Sequence, residues 1–284
     1  MLEAYFDASE RESGIFCVAG FAFGHDRAKK ATRDWKWLWG DTQCHMTDLN
    51  QSPPAGDFKG WSPEKAKECT EAAIPIINNR STFGVAVSVD TAEFSKFAPK
   101  TSDPDSKNAL NGLRTPYAHC CHAAMVAMAH MTGSADIAYF FEFGDKHQGE
   151  SQAFMGWIAS HPSVARRLYK MRSHRVLSAA DCRLFETADI FAWEWAKHVE
   201  RDKDGKILDA NGVTRQRGSL RALLGEGLQK SAETNVTSVN RRGWHITGAP
   251  LERYYQRIGD MELLSDQPSE KALELMLASI QTEF

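Results

Sequence analysis

Four short apolar runs, rich in β-branched and aromatic residues, constrain this chain more than any other feature: residues 2–7, 15–23, 81–90 and 135–143. The first two are separated only by a short polar link, 9–14, which predicts a hairpin. Helical stretches fall between and after the later runs. Residues 28–39 carry Trp35, Trp37 and Trp39. Residues 62–78 open with Ser62 as an N-cap and Pro63 behind it. Residues 115–131 are small and sulfur-bearing and read as a buried helix; 148–160 and 181–199 follow, the last with Asp181 as a candidate cap. Shorter strands are expected around 44–49 and at 175–179. Residues 51–61, with Pro53, Pro54, Gly56 and Gly60, read as a loop, and 101–113 as a polar, mobile connector. Antiparallel strands come first and strand–helix alternation second. That order predicts an α/β fold, a mixed sheet flanked by helices.

Near residue 200 the composition changes to a charged, turn-rich stretch, "RDKDGKILDANG". The expected division is a sheet domain over 1–200 and an accessory extension over 201–284, packed on the same core. The extension reads as mainly helical, with helices at 218–230, 250–258 and 268–282 and a short strand near 244–247.

Net charge is −3, from 34 basic and 37 acidic residues, so the chain is no polycation and any nucleic-acid surface must be local. The six cysteines form no CxxC pair. The N-terminus has no basic and apolar leader, and no apolar run nears the ~20 residues a membrane span needs. The expected setting is cytoplasmic with reduced thiols. No GxxxxGK[ST], GxGxxG or GxSxG motif occurs, which leaves phosphate-loop, dinucleotide and serine-hydrolase chemistry without a signature.

Three carboxylates sit where a solvated face is not expected. Asp7 ends the first strand, Glu142 ends "IAYFFE", and Asp189 falls on the Phe185, Ala188, Ala192, Ala196 stripe of the last long helix. Glu186 lies one turn earlier on nearly the same side. A buried, unpaired carboxylate is costly, and two or three that converge suit Mg²⁺ or Mn²⁺, which prefer hard oxygen ligands. Two such ions can activate water and stabilise the leaving oxygen in phosphodiester cleavage. Asp7, Glu142 and Asp189 are therefore the candidate catalytic and metal-ligating residues. The structural alternatives are a turn cap at Asp7, an ion pair of Glu142 with Lys146 or an arginine, and a buried bridge from Asp189 to Arg166 or Arg175.

His45 and Asp48 in "CHMTDL" form a further candidate pair, as a proton shuttle or phosphate contact and an extra ligand, or else a polar pair beside a turn. Arg166, Arg167, Lys170, Arg172 and Arg175 make an acid-free basic run just before the Asp189 helix. They are the candidate nucleic-acid contacts, with a solvated helix face as the alternative. A second basic group holds Arg215, Arg217, Arg221, Arg241 and Arg242, with Tyr254 and Tyr255 nearby. The "HCCH" of residues 119–122 does not read as zinc, because adjacent residues on a helix diverge by ~100°.

The stretches "YFDAS", "VAGFAF", "HMTDL", "YFFEFGD" and "RLFETADIFAWE" resemble a family, mostly of bacteria and phages, catalogued as domain of unknown function 3800. The resemblance spans about residues 2–197 and implies a ribonuclease-H-like fold. On its motifs the first aspartate falls on Asp7, its serine on Ser9, the strand-end acid on Glu142 and the helix aspartate on Asp189. The glutamate that usually follows the first aspartate is Ala8 here, and the helix glutamine is approximated by Glu186. By analogy of fold the resemblance implies a metal-dependent nuclease.

The expectation is thus a Mg²⁺- or Mn²⁺-dependent phosphodiesterase acting on DNA or RNA. Nucleic acid is the expected partner, a homodimer is left open, and no membrane is involved. Two alternatives stand beside it: a non-catalytic nucleic-acid- or protein-binding member of the same fold, in phage defence or a mobile element, and a small-nucleotide phosphohydrolase.

Overall fold

The computed structural model describes residues 1–97, 115–144, 148–205, 217–224, 240–246 and residue 252. β1 (Leu2–Glu10) and β2 (Ile15–Gly24) form the expected hairpin, antiparallel from Leu2 against Gly24 to Glu10 against Phe16. β3 (Phe83–Asp90) pairs antiparallel with β2. On the other side β4 (Ile137–Glu142) runs parallel to β1, and β5 (Met171–Leu177) parallel to β4. β6 (Asn240–Ile246) adds to β3 in parallel. The sheet order is β5-β4-β1-β2-β3-β6. Only β2 runs against the rest, and this order and polarity are the ribonuclease-H-like plan with β6 added at one edge.

Helices cover both faces. One carries α1 (His25–Trp39), the single turn α2 (Met46–Leu49), α3 (Pro63–Arg80) and, later in the chain, α8 (Phe185–Lys203). Trp35, Ile74, Phe185 and Phe191 pack there against Tyr5, Phe21 and Phe23. The other face carries α4 (Thr91–Phe97), α5 (Pro116–Met131), α6 (Gln148–Ser160) and α7 (Pro162–Tyr169). Its apolar cluster joins Phe6, Val85, Val87 and Tyr139 to Val126, Phe154 and Tyr169. Central β2 is buried on both faces, which is why its sequence is apolar throughout rather than alternating.

α5 is the buried helix expected. Thr115 Oγ1 accepts from Ala118 N at 3.2 Å, and Pro116 takes the first position, where no N–H is needed. Every side chain from Tyr117 to Ala129 is buried. Burial pushes His119 and His122 down to about 3, so both are neutral core side chains. His122 Nδ1 lies 2.9 Å from the Tyr169 hydroxyl.

Three local readings change. The stretch 44–49 holds no strand; its residues Met46–Leu49 form the helical turn α2. α8 begins at Phe185, and Asp181 does not cap it; Ser178 Oγ donates to Asp181 Oδ2 at 2.6 Å in a separate turn. β5 starts at Met171 rather than 175. It is an edge strand whose only buried side chain is Met171, so "MRSHRVL" shows little of the usual apolar signal.

The segment beyond residue 200 contributes α9 (Gly218–Leu224), which contacts α3 and α8, as well as β6. Arg241, a member of the second basic group, is buried and donates to the carbonyls of Leu223 and Ile77 and to Ser81 Oγ. Arg217 Nε lies 2.9 Å from buried Glu194 Oε2. Neither belongs to an open basic surface. Arg215, Tyr254, Tyr255, the connector 101–113, the end of helix 218–230 and the helices 250–258 and 268–282 lie outside the described residues. Among the described residues, no helix is long and apolar enough to cross a membrane.

Candidate functional site

The register of β1 and β4 ends at Phe6 beside Phe141. One residue further, Asp7 comes beside Glu142. Side chains alternate along a strand, so both acids share the face of Tyr5 and Phe140, whose rings stack at 4.9 Å. That is the face covered by α8. Asp189, one turn into α8, completes the group. Asp7, Glu142, Glu186 and Asp189 line one cleft of about 280 Å³ with Gln43, Cys44, His45, Asp48, Gly56 and Asp57.

α8 also holds the facing loop. Glu186 Oε2 accepts from Trp35 Nε1 at 2.7 Å and from Cys44 N at 2.9 Å. Arg183 Nε donates to Glu186 Oε1 at 2.7 Å, and its other nitrogens donate to the carbonyls of Gly40 and Thr42. One helical turn on, Asp189 Oδ2 accepts from Met46 N at 2.6 Å. The amides of residues 44 and 46 are thus tied to two carboxylates of one helix. Cys44 and Met46 are buried, and the intervening His45 is left projecting. Its Nδ1 lies 3.2 Å from Asp48 Oδ2. Asp48 in turn needs Gly56: at φ +54 a Cβ there would stand 2.6 Å from Asp48 Oδ2.

The electrostatics separate Glu186 from the other acids. Glu186 is buried but neutralised by Arg183 and saturated with donors. Among the described residues no lysine or arginine pairs with Asp7, Glu142 or Asp189; Lys146, the alternative partner of Glu142, lies outside them. Burial, then the nearby Asp189 and Glu142 charges, raises Asp7 well above the carboxylate range, and Asp7 and Glu142 share a hydrogen bond. Burial and Glu186 raise Glu142, while its bond to Asp7 and the His45 ring oppose that. Burial, with the Glu142 and Glu186 charges, raises Asp189 to about 6 against the pull of His45 and Met46 N. Three acids that cannot all ionise comfortably in one cleft are what a divalent cation would relieve.

Donor chemistry therefore fits a hard cation. As the side chains stand, with Asp7 and Glu142 bonded to each other, no three His, Cys, Asp or Glu among the described residues form a group arranged to hold a metal ion.

The other candidates divide. His45 and Asp48 join the cleft; Ser9 is buried two residues beyond Asp7 and does not line it. Ala8 packs against the α5 side of the sheet, so the departure there removes no donor from the cleft. The basic run is not brought to the site. Arg166 and Arg167 end α7, and Lys170 and Arg172 flank the start of β5, next to Ile137 at the opposite end of β4 from Glu142. The six steps to Leu177 span roughly 20 Å. Arg175 pairs with Phe140, midway. Arg183, Trp35, Gln43 and Asp57 were not candidate site residues in the sequence. Only Arg183 carried a signal, an opposite charge three residues before Glu186.

No protein-family profile matches the chain, and no curated protein matches it. Among solved structures, it is similar to one described as the structure of the PCNA:RNase HII complex from Archaeoglobus fulgidus. Identity is 16%, coverage 87% of this chain and 97% of that one, and the TM-score 0.36. The fold assignment rests on strand order and polarity rather than on this match.

Proposed function

We propose that this chain is a Mg²⁺- or Mn²⁺-dependent phosphodiesterase acting on a nucleic acid, with Asp7, Glu142 and Asp189 as the cation's ligands. The supporting observation is the cleft: three carboxylates from β1, β4 and α8, unpaired with lysine or arginine among the described residues, each pushed toward protonation by burial or by the others. The resemblance to domain of unknown function 3800 agrees with this reading.

A bound divalent cation supplies Lewis-acid polarisation of a phosphodiester and a water of lowered pKa. The chain does the rest. Ala8 N fixes Asp7 Oδ1 at 2.7 Å, and Met46 N fixes Asp189 Oδ2, which leaves one oxygen of each uncommitted by these bonds. Glu186 and Arg183 hold the loop without spending the cleft's negative charge. His45, oriented by Asp48, stands at the rim as a contact for a phosphate oxygen or a carrier of a proton.

The test is cleavage of labelled single- and double-stranded DNA and RNA oligonucleotides in Mg²⁺, Mn²⁺ or EDTA, with Asp189→Asn as control. Cleavage that requires cation and Asp189 supports the reading. Metal-independent binding without cleavage, retained in Asp7→Asn, would instead show a non-catalytic binding protein. Hydrolysis of free nucleotides alone would show a small-nucleotide phosphohydrolase.

A further inference from the structure

Since all of the expected basic run but Arg175 lies toward the far end of β4, another surface is needed to hold a polyanion at the cleft. The structure offers one on α1. Among the described residues, the large hydrophobic side chains left exposed are Met1, Trp37 and Phe143. Phe143 directly follows Glu142 in the chain but does not line the cleft. Trp37, 85% exposed, projects from the last turns of α1.

Around Trp37 the helix is cationic. At 100° per residue, Lys29, Lys30, Arg33, Lys36 and Trp37 fall within a wedge of about 120°. All five are exposed. They stand opposite the face that buries Ala28, Ala31, Trp35 and Trp39. Lys29, Lys30 and Lys36 have no partner among the described residues. Asp34, at the flank, is engaged by Arg80 at 2.7 Å and also by Arg33 at 3.0 Å, so the three lysines are the uncompensated charges of this face. Over residues 25–39 there are five Lys or Arg against two Asp, in a chain whose overall charge is −3.

This helix is joined to the cleft. α1 ends at Trp39, and Arg183 clamps the carbonyls of Gly40 and Thr42 to Glu186. Gln43, next in the chain, lines the cleft. Gln43 lies six positions beyond Trp37, a chain reach of at most about 21 Å.

We propose that the exposed face of α1 is a binding track for a single strand of nucleic acid leading out of the carboxylate cleft. The lysines and Arg33 contact successive phosphates, and Trp37 stacks on an unpaired base. This rests on the nucleic-acid reading of the cleft and adds where the strand runs and that it is single. A duplex would keep the phosphate contacts but offer Trp37 no open base face. Cations interleaved with a solvent-facing indole are the combination that single-strand binding uses.

The experiment measures fluorescence anisotropy of labelled oligothymidylates of 3 to 15 nucleotides, and of a duplex. The proteins are Asp189→Asn, used as a non-cleaving background, and the same chain with Lys29→Ala/Lys30→Ala/Lys36→Ala or with Trp37→Ala. All these positions are exposed, so circular dichroism should be unchanged. We expect affinity to rise with length and then level off. The triple variant should bind at least tenfold more weakly, with a salt slope lower by about two, at about 0.7 per phosphate contact for three contacts. Trp37→Ala should bind about 5- to 100-fold more weakly with an unchanged salt slope. Equal affinities in all three proteins, no binding at all, or duplex preferred over single strand would each overturn the track. Strand binding through α1 without cleavage by the wild type would remove the phosphodiesterase reading and leave the track standing. Hydrolysis of bis-p-nitrophenyl phosphate, untouched in the α1 variants made without Asp189→Asn, would do the reverse if oligonucleotide affinity were also untouched.

Discussion

Replacing Asp189 by Asn should make the cation-free protein more stable. Asp189 is 5% exposed, and burial with the Glu142 and Glu186 charges raises it from 3.8 to about 6. A carboxyl raised in the folded state holds its proton more tightly there than in the unfolded chain. Its contribution is neutral below about pH 4, turns against folding as the pH climbs toward 6, and is a full penalty above that. About two units at ~1.4 kcal/mol each make the penalty about 3 kcal/mol. Asparagine has nearly the same shape, and its Oδ1 can still accept from Met46 N, so the substitution removes the charge and leaves the bond. In urea unfolding with EDTA at pH 7.5, Asp189→Asn should be more stable than wild type by about 2–3 kcal/mol, or several degrees in Tm for a chain of this size. At pH 4 the difference should vanish. A variant less stable at both pH values would refute the reasoning and make Asp189 a structural anchor of the loop at Met46.

Glu186→Gln should behave oppositely at pH 7.5, leaving the half-buried Arg183 guanidinium short of its charged partner at a cost of about 1–3 kcal/mol by the same urea measurement. Gly56→Ala places a methyl against Asp48 at a positive φ; it should cost about 1–3 kcal/mol and lower kcat through His45 more than it raises KM. Mn²⁺ at 100 times its Kd should stabilise the wild type by about 2.7 kcal/mol in thermal unfolding, and should not stabilise Asp7→Asn.

Much of the fold was legible because the sheet's inner strands are buried on both faces. "IFCVAGFAF" and "FGVAVSVD" are apolar whatever surrounds them, and the short link between β1 and β2 leaves few alternatives to a hairpin. What failed lay at edges and ends. β5 has one buried side chain, so its sequence resembled surface, and its basic residues were placed beside the cleft by closeness in sequence alone. α8 was begun four residues early because Asp181 looks like a cap; Ser178 takes it instead. Arg241 was grouped with the other basic residues of the extension because nothing local shows that α3 and α9 offer it carbonyls.

The three acids of the cleft were found from their settings, each a carboxylate in apolar surroundings. Their meeting follows from register: β1 and β4 pair so that Asp7 reaches Glu142, and no sequence pattern states that register. The hydrogen-bond partners of Glu186 were hidden for the same reason. Its partners Trp35, Cys44 and Arg183 come from two other segments and the preceding turn. The division of labour along α8, with Glu186 bracing the loop and Asp189 facing the cleft, appears only once that loop is in place.

The central claim is that Asp7, Glu142 and Asp189 together bind a divalent cation. Titration calorimetry of Mn²⁺ into the full chain at pH 7.5, for wild type and Asp7→Asn, tests it most directly. Micromolar binding with proton release in the wild type, lost in the variant, is the predicted result. Equal heats from both proteins, or no binding by either, would contradict it and leave Asp7 as a strand residue that shares a proton with Glu142.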